Sequence, residues 1–155
     1  MLKPLAILGA AALALGASAQ AQMTATQTVL SETVTIDEQG REVVRTAPAK
    51  NVVPGDRLAY VLTYRNEGAA AAEDLVLVMP VPPTVTLIAG TEEGGAPEHS
   101  VDGGQSYGVL ADLSVAEDGE RRPARPADVT HVRWRLAGSV APGEAGDVSY
   151  RAVLR

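Results

Sequence analysis

The chain has 155 residues, with 13 Lys and Arg against 19 Asp and Glu, and it contains neither Cys nor Phe. That length allows one domain, and the absence of Cys excludes disulfides and a lipid anchor on a cysteine. The acidic balance disfavours nucleic acid and anionic membranes as partners, because phosphate binding needs a basic patch.

The N-terminus reads Met1-Leu2-Lys3-Pro4 and then an apolar run from Leu5 to Ala17. One cation followed by a short apolar run is the pattern of a secretory signal peptide. Ala17-Ser18-Ala19 and Ala19-Gln20-Ala21 both place small residues at −3 and −1, so cleavage is expected after Ala19 or Ala21. A membrane anchor would need about 20 apolar residues, and this run is shorter. Loss of residues 1–21 removes Lys3 and no acid, leaving 12 basic against 19 acidic residues, net −7. No second apolar stretch approaches membrane length, and Tyr150–Arg155 has no sorting tail. The exported form is therefore expected to be soluble, in the periplasm or outside the cell, with no anchor after cleavage.

Four Tyr and one Trp are the only aromatic residues, so Val, Leu, Ile and Ala must build the core. The mature region is rich in Val, Thr, Gly and Pro, which suits strands and turns. Residues 22–27 read as a polar lead-in. Thr28–Ile36 alternates, Asp37-Glu38-Gln39-Gly40 turns, and Arg41–Arg45 returns, which predicts a β-hairpin. Thr46–Val53 reads as a connector. Pro54-Gly55-Asp56 is a tight turn, because Pro presets φ and Gly accepts a positive one. From Arg57 the alternation is the cleanest in the chain: Leu58, Tyr60, Leu62 and Tyr64 share one face of a half-buried strand. Asn66-Glu67-Gly68 ends it, and Ala69–Ala72 is too short for a stable helix.

Leu75–Met79 is wholly apolar and predicts a strand buried on both faces or nearly so. Pro80-Val81-Pro82-Pro83 stops it, and Thr84–Ala89 predicts another strand. Gly90–Gly104 reads as an acidic loop with an extended piece at His99–Val101. Val109–Val115 reads as strand, and Ala116–Asp128 as a long polar connection turning at Asp118-Gly119. Val129–Leu136 alternates Val132, Trp134 and Leu136 against His131, Arg133 and Arg135. Ala141–Glu144 turns, and Gly146–Leu154 alternates again. Eight or nine strands with turns between them predict an all-β, antiparallel sandwich. Trp134 is the expected central core residue, its indole N–H needing one partner.

The run from Val53 to Gly68 resembles the opening of the DUF11 repeat family: a Pro-Gly-Asp turn, a strand bearing Tyr, then Asn-x-Gly. Leu75–Val85 is similar to that family's second signature, and Val140–Gly146 with Val148-Ser149-Tyr150 to its closing element. One departure is Met79-Pro80, where the family usually carries an Asp. The resemblance covers residues 52–155 and implies an immunoglobulin-like sandwich of secreted and surface proteins, with no known catalysis. The chain then divides into a signal peptide (1–21), an N-terminal extension with a hairpin (22–51) and the DUF11-like sandwich (52–155).

Several motifs invite a chemical reading. Gly104-Gln105-Ser106-Tyr107-Gly108 matches the G-x-S-x-G nucleophile elbow, with Asp112, Asp118, Asp128 and His131 following. The elbow needs a helix after Ser106, and a strand is predicted there. Ser100–Tyr107 resembles an Asp-box, in which the Asp braces a hairpin turn, a structural task. Glu92, Glu93, Glu98, His99 and Asp102 share one loop region and could collect Ca²⁺, although their spacing matches no EF-hand. His99 and His131 without Cys offer zinc too few ligands. His131, Arg133 and Arg135, with Arg121, Arg122 and Arg125 in the preceding loop, form a basic concentration. It could take an acidic polysaccharide or lipid head group, or be a solvated face paired with acidic neighbours. The hairpin at 28–45 could pad its own sandwich or complement a neighbour's edge.

The expectation is a monomeric, exported, non-enzymatic β-sandwich with no catalytic, cofactor-binding or metal site and no cofactor. Its role would be structural or interactive, with another envelope or surface protein as partner. The alternatives are a strand-exchanging fibre subunit and a small serine hydrolase using Ser106.

Overall fold

The structure, a computed structural model, describes residues 20–155. The signal peptide expected at 1–21 lies outside that range except for its last two residues. The described chain is antiparallel β throughout, with two single-turn 3₁₀ segments at Leu110–Asp112 and Pro126–Asp128.

One sheet has five strands: β1 (Met23–Ile36), β2 (Glu42–Pro48), β3 (Arg57–Asn66), β5 (Val85–Leu87) and β10 (Ala145–Leu154), in the order β2-β1-β3-β10-β5. A second has three, β4 (Val76–Pro80), β9 (His131–Arg135) and β6 (Ala96–Ser100), in the order β4-β9-β6. A separate hairpin joins β7 (Ser114–Glu117) to β8 (Glu120–Pro123). Both larger sheets feed one apolar cluster. Leu58 and Tyr60 of β3, with Val148, Tyr150 and Ala152 of β10, meet Leu77 and Met79 of β4 and Val132 and Trp134 of β9. The Tyr60 and Tyr150 rings stack 4.9 Å apart, and the Tyr150 hydroxyl donates to the Pro80 carbonyl at 2.8 Å, tying the sheets together.

β3 and β10 are neighbours, and each begins at a Pro-Gly turn built the same way. Gly55 and Gly143 take φ of 97° and 80°, which glycine reaches without strain. Asp56 and Glu144 each reach back over the turn to accept from the backbone N–H three residues earlier, Val53 and Ala141, both at 2.8 Å. Asn66 locks the far end of β3. Fully buried, it donates to the carbonyls of Ala70 and Val140 and accepts from the N–H groups of Gly68 and Gln22. Gly68 lies so close to Gln20 and Gln22 that a Cβ there would overlap the Gln20 carbonyl oxygen.

Several local expectations change. Trp134 is fully buried, but its indole N–H finds no acceptor among the described residues. Its cross-strand neighbours are Leu77 and Pro97, which offer no polar side chain. The 75–79 run is buried on one face only: Leu77 and Met79 point inward, while Val76 and Val78 are exposed, because β4 is an edge strand with nothing over its outer face. Val109–Leu113 is not strand. It coils into the first 3₁₀ turn, which packs Leu110 against the core. The polar stretch after Val115 is a hairpin, not a loose connection. Asp118 and Gly119 both have positive φ, the two-residue turn whose twist suits paired strands. Residues 23–27, read as a lead-in, are strand, because backbone pairing with β3 requires no apolar side chains.

Candidate functional site

The loop leaving β6 carries the two motifs with the strongest chemical appearance. It is closed by reciprocal backbone bonds between His99 and Gly108 at 2.8 and 3.0 Å. Inside it the Asp102 carboxylate accepts from the Ser100 hydroxyl (2.7 Å), the Gln105 and Ser106 N–H groups (3.0 Å each) and the Ser106 hydroxyl (2.5 Å). The Ser106 bonds, with those from Ser100 and Gln105, hold its carboxyl well below the usual carboxylate range. Gly103 and Gly104 supply the positive φ values that bend the backbone around it. The Ser100 hydroxyl, fully buried, also accepts from the Gly104 N–H at 2.9 Å. The arrangement is that of a braced turn. Tyr107 leaves the loop under the Arg133 guanidinium, 4.0 Å from its ring centre, a cation–π contact.

This geometry bears on Ser106 directly. Its hydroxyl is directed at a carboxylate, while the His131 Nδ1 contacts the Thr130 hydroxyl at 3.1 Å. A nucleophilic serine needs a base in hydrogen-bond reach with a third group orienting it. Neither the strand-to-helix turn of an elbow nor a serine–imidazole bond occurs among the described residues. A shallow polar depression of about 490 Å³ lies beside the loop, lined by Asp102, Ser106, Asp112, Ser114 and Arg121 among others.

The acids considered for calcium are separated. Glu92 meets His99 Nε2 at 2.6 Å, Glu93 meets Arg151 at 2.9 Å, Glu98 takes Arg133 and Arg135 at 2.8 and 3.2 Å, and Asp102 is consumed by its own loop. Among the described residues no group of three or more His, Asp or Glu side chains is placed to hold a metal ion. On the basic stripe Arg133 and Arg135 share one carboxylate, Glu98, which stands opposite Arg133 in register. Those bonds, Arg133 first, draw the Glu98 carboxyl below its ordinary value. Arg122 pairs with Glu117 and with Asp128, and holds Asp128 down to about 2.

Two polar arrangements were not legible beforehand. His99 and Glu92 form a pair almost wholly out of solvent, with His99 pointing inward beside Val132 and its Nδ1 unpartnered among the described residues. Burial pushes the Glu92 carboxyl up, but the bond from His99 and nearby backbone donors outweigh it and leave it below its ordinary value. On the outer face of the five-stranded sheet, Glu32 is almost fully covered and bonded to Arg151 at 2.8 Å, and Arg151 reaches on to Glu93. Residues 119 apart in sequence meet here because β1 and β10 flank β3. No local spacing signals such a contact. No protein-family model matches the chain, and neither the curated proteins nor the solved structures contain a significant match to it.

Proposed function

We propose that the chain is an exported, non-catalytic β-sandwich of the immunoglobulin-like, DUF11 kind, with a structural or protein-interaction role in the cell envelope. The observation that carries this reading is the state of the polar side chains. The residues able to do chemistry in the 92–106 region and on β9 are spent on each other, as turn braces and cross-strand pairs. A catalytic site keeps a reactive group free and poised for substrate. The fold assignment is supported by two antiparallel sheets sharing one core, and by the Pro-Gly-Asp and Asn-x-Gly signatures sitting at the two ends of β3. Export to the periplasm or the exterior rests on the N-terminal segment of the sequence. The binding partner is another envelope or surface protein. β1 already fills the β3 edge of its own chain over Met23–Glu32, which favours a self-contained module over a donor strand for fibres.

Three measurements test it. Ester and amide turnover is expected to be absent, and a turnover abolished by Ser106→Ala would overturn the non-catalytic reading. Photo-crosslinking in the intact envelope, from positions on the exposed loops, is expected to give adducts with one other envelope protein. A chain recovered only from the cytoplasm would refute the exported role.

A further inference from the structure

The N-terminal hairpin is longer than the sheet that supports it. β3 pairs with β1 only from Met23 to Glu32, whereas β2 pairs with β1 from Leu30 to Ile36. Beyond Glu32 the hairpin is a two-stranded ribbon, a form marginally stable in water without a further layer or strand. One face of the ribbon carries Val34 directly opposite Val44, with Ile36 beside them. These three are 43%, 55% and 64% exposed, among the most exposed large apolar residues in the described chain.

The outer edge of β2 has a defined pattern. The N–H of Asp37 bonds to the Arg41 carbonyl and that of Ala49 to the Val29 carbonyl, which fixes the hydrogen-bonded rungs at odd-numbered residues. In an antiparallel ladder the alternate residues turn their backbone groups away. Glu42, Val44 and Thr46 therefore direct N–H and C=O outward from an edge strand. Pro48, next in that series, has no N–H to offer, which ends the pairable segment on the sheet side.

We propose that two copies of the chain pair antiparallel through β2, with the two Val44 residues facing each other across a twofold axis. This goes beyond the envelope-partner reading and departs from the monomer expected from sequence. In this register Val44 meets Val44 and Glu42 meets Thr46 of the second copy, twice, so six outward backbone groups on each side find partners. Val34 and Val44 of both copies then form one row of four valines across four strands. On the other face Val43 meets Arg45, so no like charges stand opposite. The same register carries Lys50 of one copy to the turn bearing Glu38 of the other. Neither has an ion-pair partner among the described residues, so each pair of copies gains two complementary contacts. Centring on Arg45 instead would oppose two arginines and set Glu42 against Pro48, which has no N–H to return.

Sedimentation equilibrium of the exported chain tests this, with a mass expected to rise towards twice that of one chain between about 10 μM and 1 mM. Val44→Pro removes an outward N–H while leaving the β1 ladder intact, and is expected to weaken association at least about tenfold. Val44→Lys, which opposes two cations at the axis, should do the same while melting like the parent. Because the chain has no cysteine, Val44→Cys gives a single thiol. Facing residues in such a pair lie about 5.5 Å apart at Cα, within disulfide span, so mild oxidation should give a covalent dimer quickly. Ile36→Cys, more exposed but off the axis, should cross-link far more slowly. Equal rates for the two thiols, a monomer across the whole range, or a dimer indifferent to both Val44 variants would each overturn the proposal. A monomer that still cross-links to another envelope protein would overturn this pairing and leave the envelope reading standing.

Discussion

The body of the protein and its N-terminal ribbon are written in the same alternating code and end in opposite states. In β9 and β10 the apolar members of the alternation, Val132, Trp134, Val148, Tyr150 and Ala152, are fully buried. In the ribbon, Val34 and Ile36 alternate with Thr33 and Thr35 just as cleanly, and with Val44 opposite Val34 they stand in solvent. Period two tells which side chains share a face, not whether anything covers that face. Coverage comes from a second sheet, and only the strands around β3 and β10 have one opposite them.

Truncating the buried side should cost most. Trp134→Ala is expected to lower unfolding free energy by about 3–5 kcal/mol in chemical denaturation, through lost burial and the cavity left behind. Wild-type Trp fluorescence should resist iodide, and full quenching would contradict the burial. Next comes the outer face, where Glu32 ties β1 to β10. Glu32→Ala leaves Arg151 without its covered partner and is expected to cost about 1–3 kcal/mol. An unchanged melting temperature would mean the hairpin is held by backbone pairing alone.

A smaller, local effect is expected from acid. The Asp102 carboxyl is depressed in the folded chain, so its bracing is fully present above its ordinary value of 3.8 and is lost as pH falls through the folded value. Amide exchange at Gln105 and Ser106 should therefore accelerate at the acid end of the range, relative to exchange in the core strands. Asp102→Asn should exchange faster already at neutral pH. The smallest effect belongs to the ribbon. Ile36→Thr is expected to change stability by less than about 0.5 kcal/mol in dilute solution, because the residue is already in water. A loss as large as that of a core residue would erase the distinction between ribbon and body.

The alternation of β3, β9 and β10 and the Pro-Gly entries of β3 and β10 were readable, since period two and turn chemistry are local properties. The Asp102 brace was readable too, because all its partners lie within four residues. The 3₁₀ turn at 110–112 was not, since Leu110 adopts it to reach a core assembled from distant strands. Nor was the β7–β8 hairpin, whose Asp118-Gly119 turn was visible while its strands are too polar to announce themselves. For the candidate site, sequence gathered Glu92, Glu93, Glu98 and His99 into one acidic loop. The fold kept Glu92 with His99 but turned Glu93 to Arg151 of β10 and Glu98 to the β9 arginines, because those two face different strands.

By itself the sequence determined the β character of the chain, most of the places where it turns, and the shared face of the apolar residues in the alternating strands β3, β9 and β10. These follow from backbone sterics and the two-residue repeat of a strand. The tertiary structure alone decided which faces are covered, which charges meet, and that the hairpin overhangs its sheet with an open edge. Those outcomes depend on contacts between residues up to 119 apart, and a chain records such contacts only once it has folded.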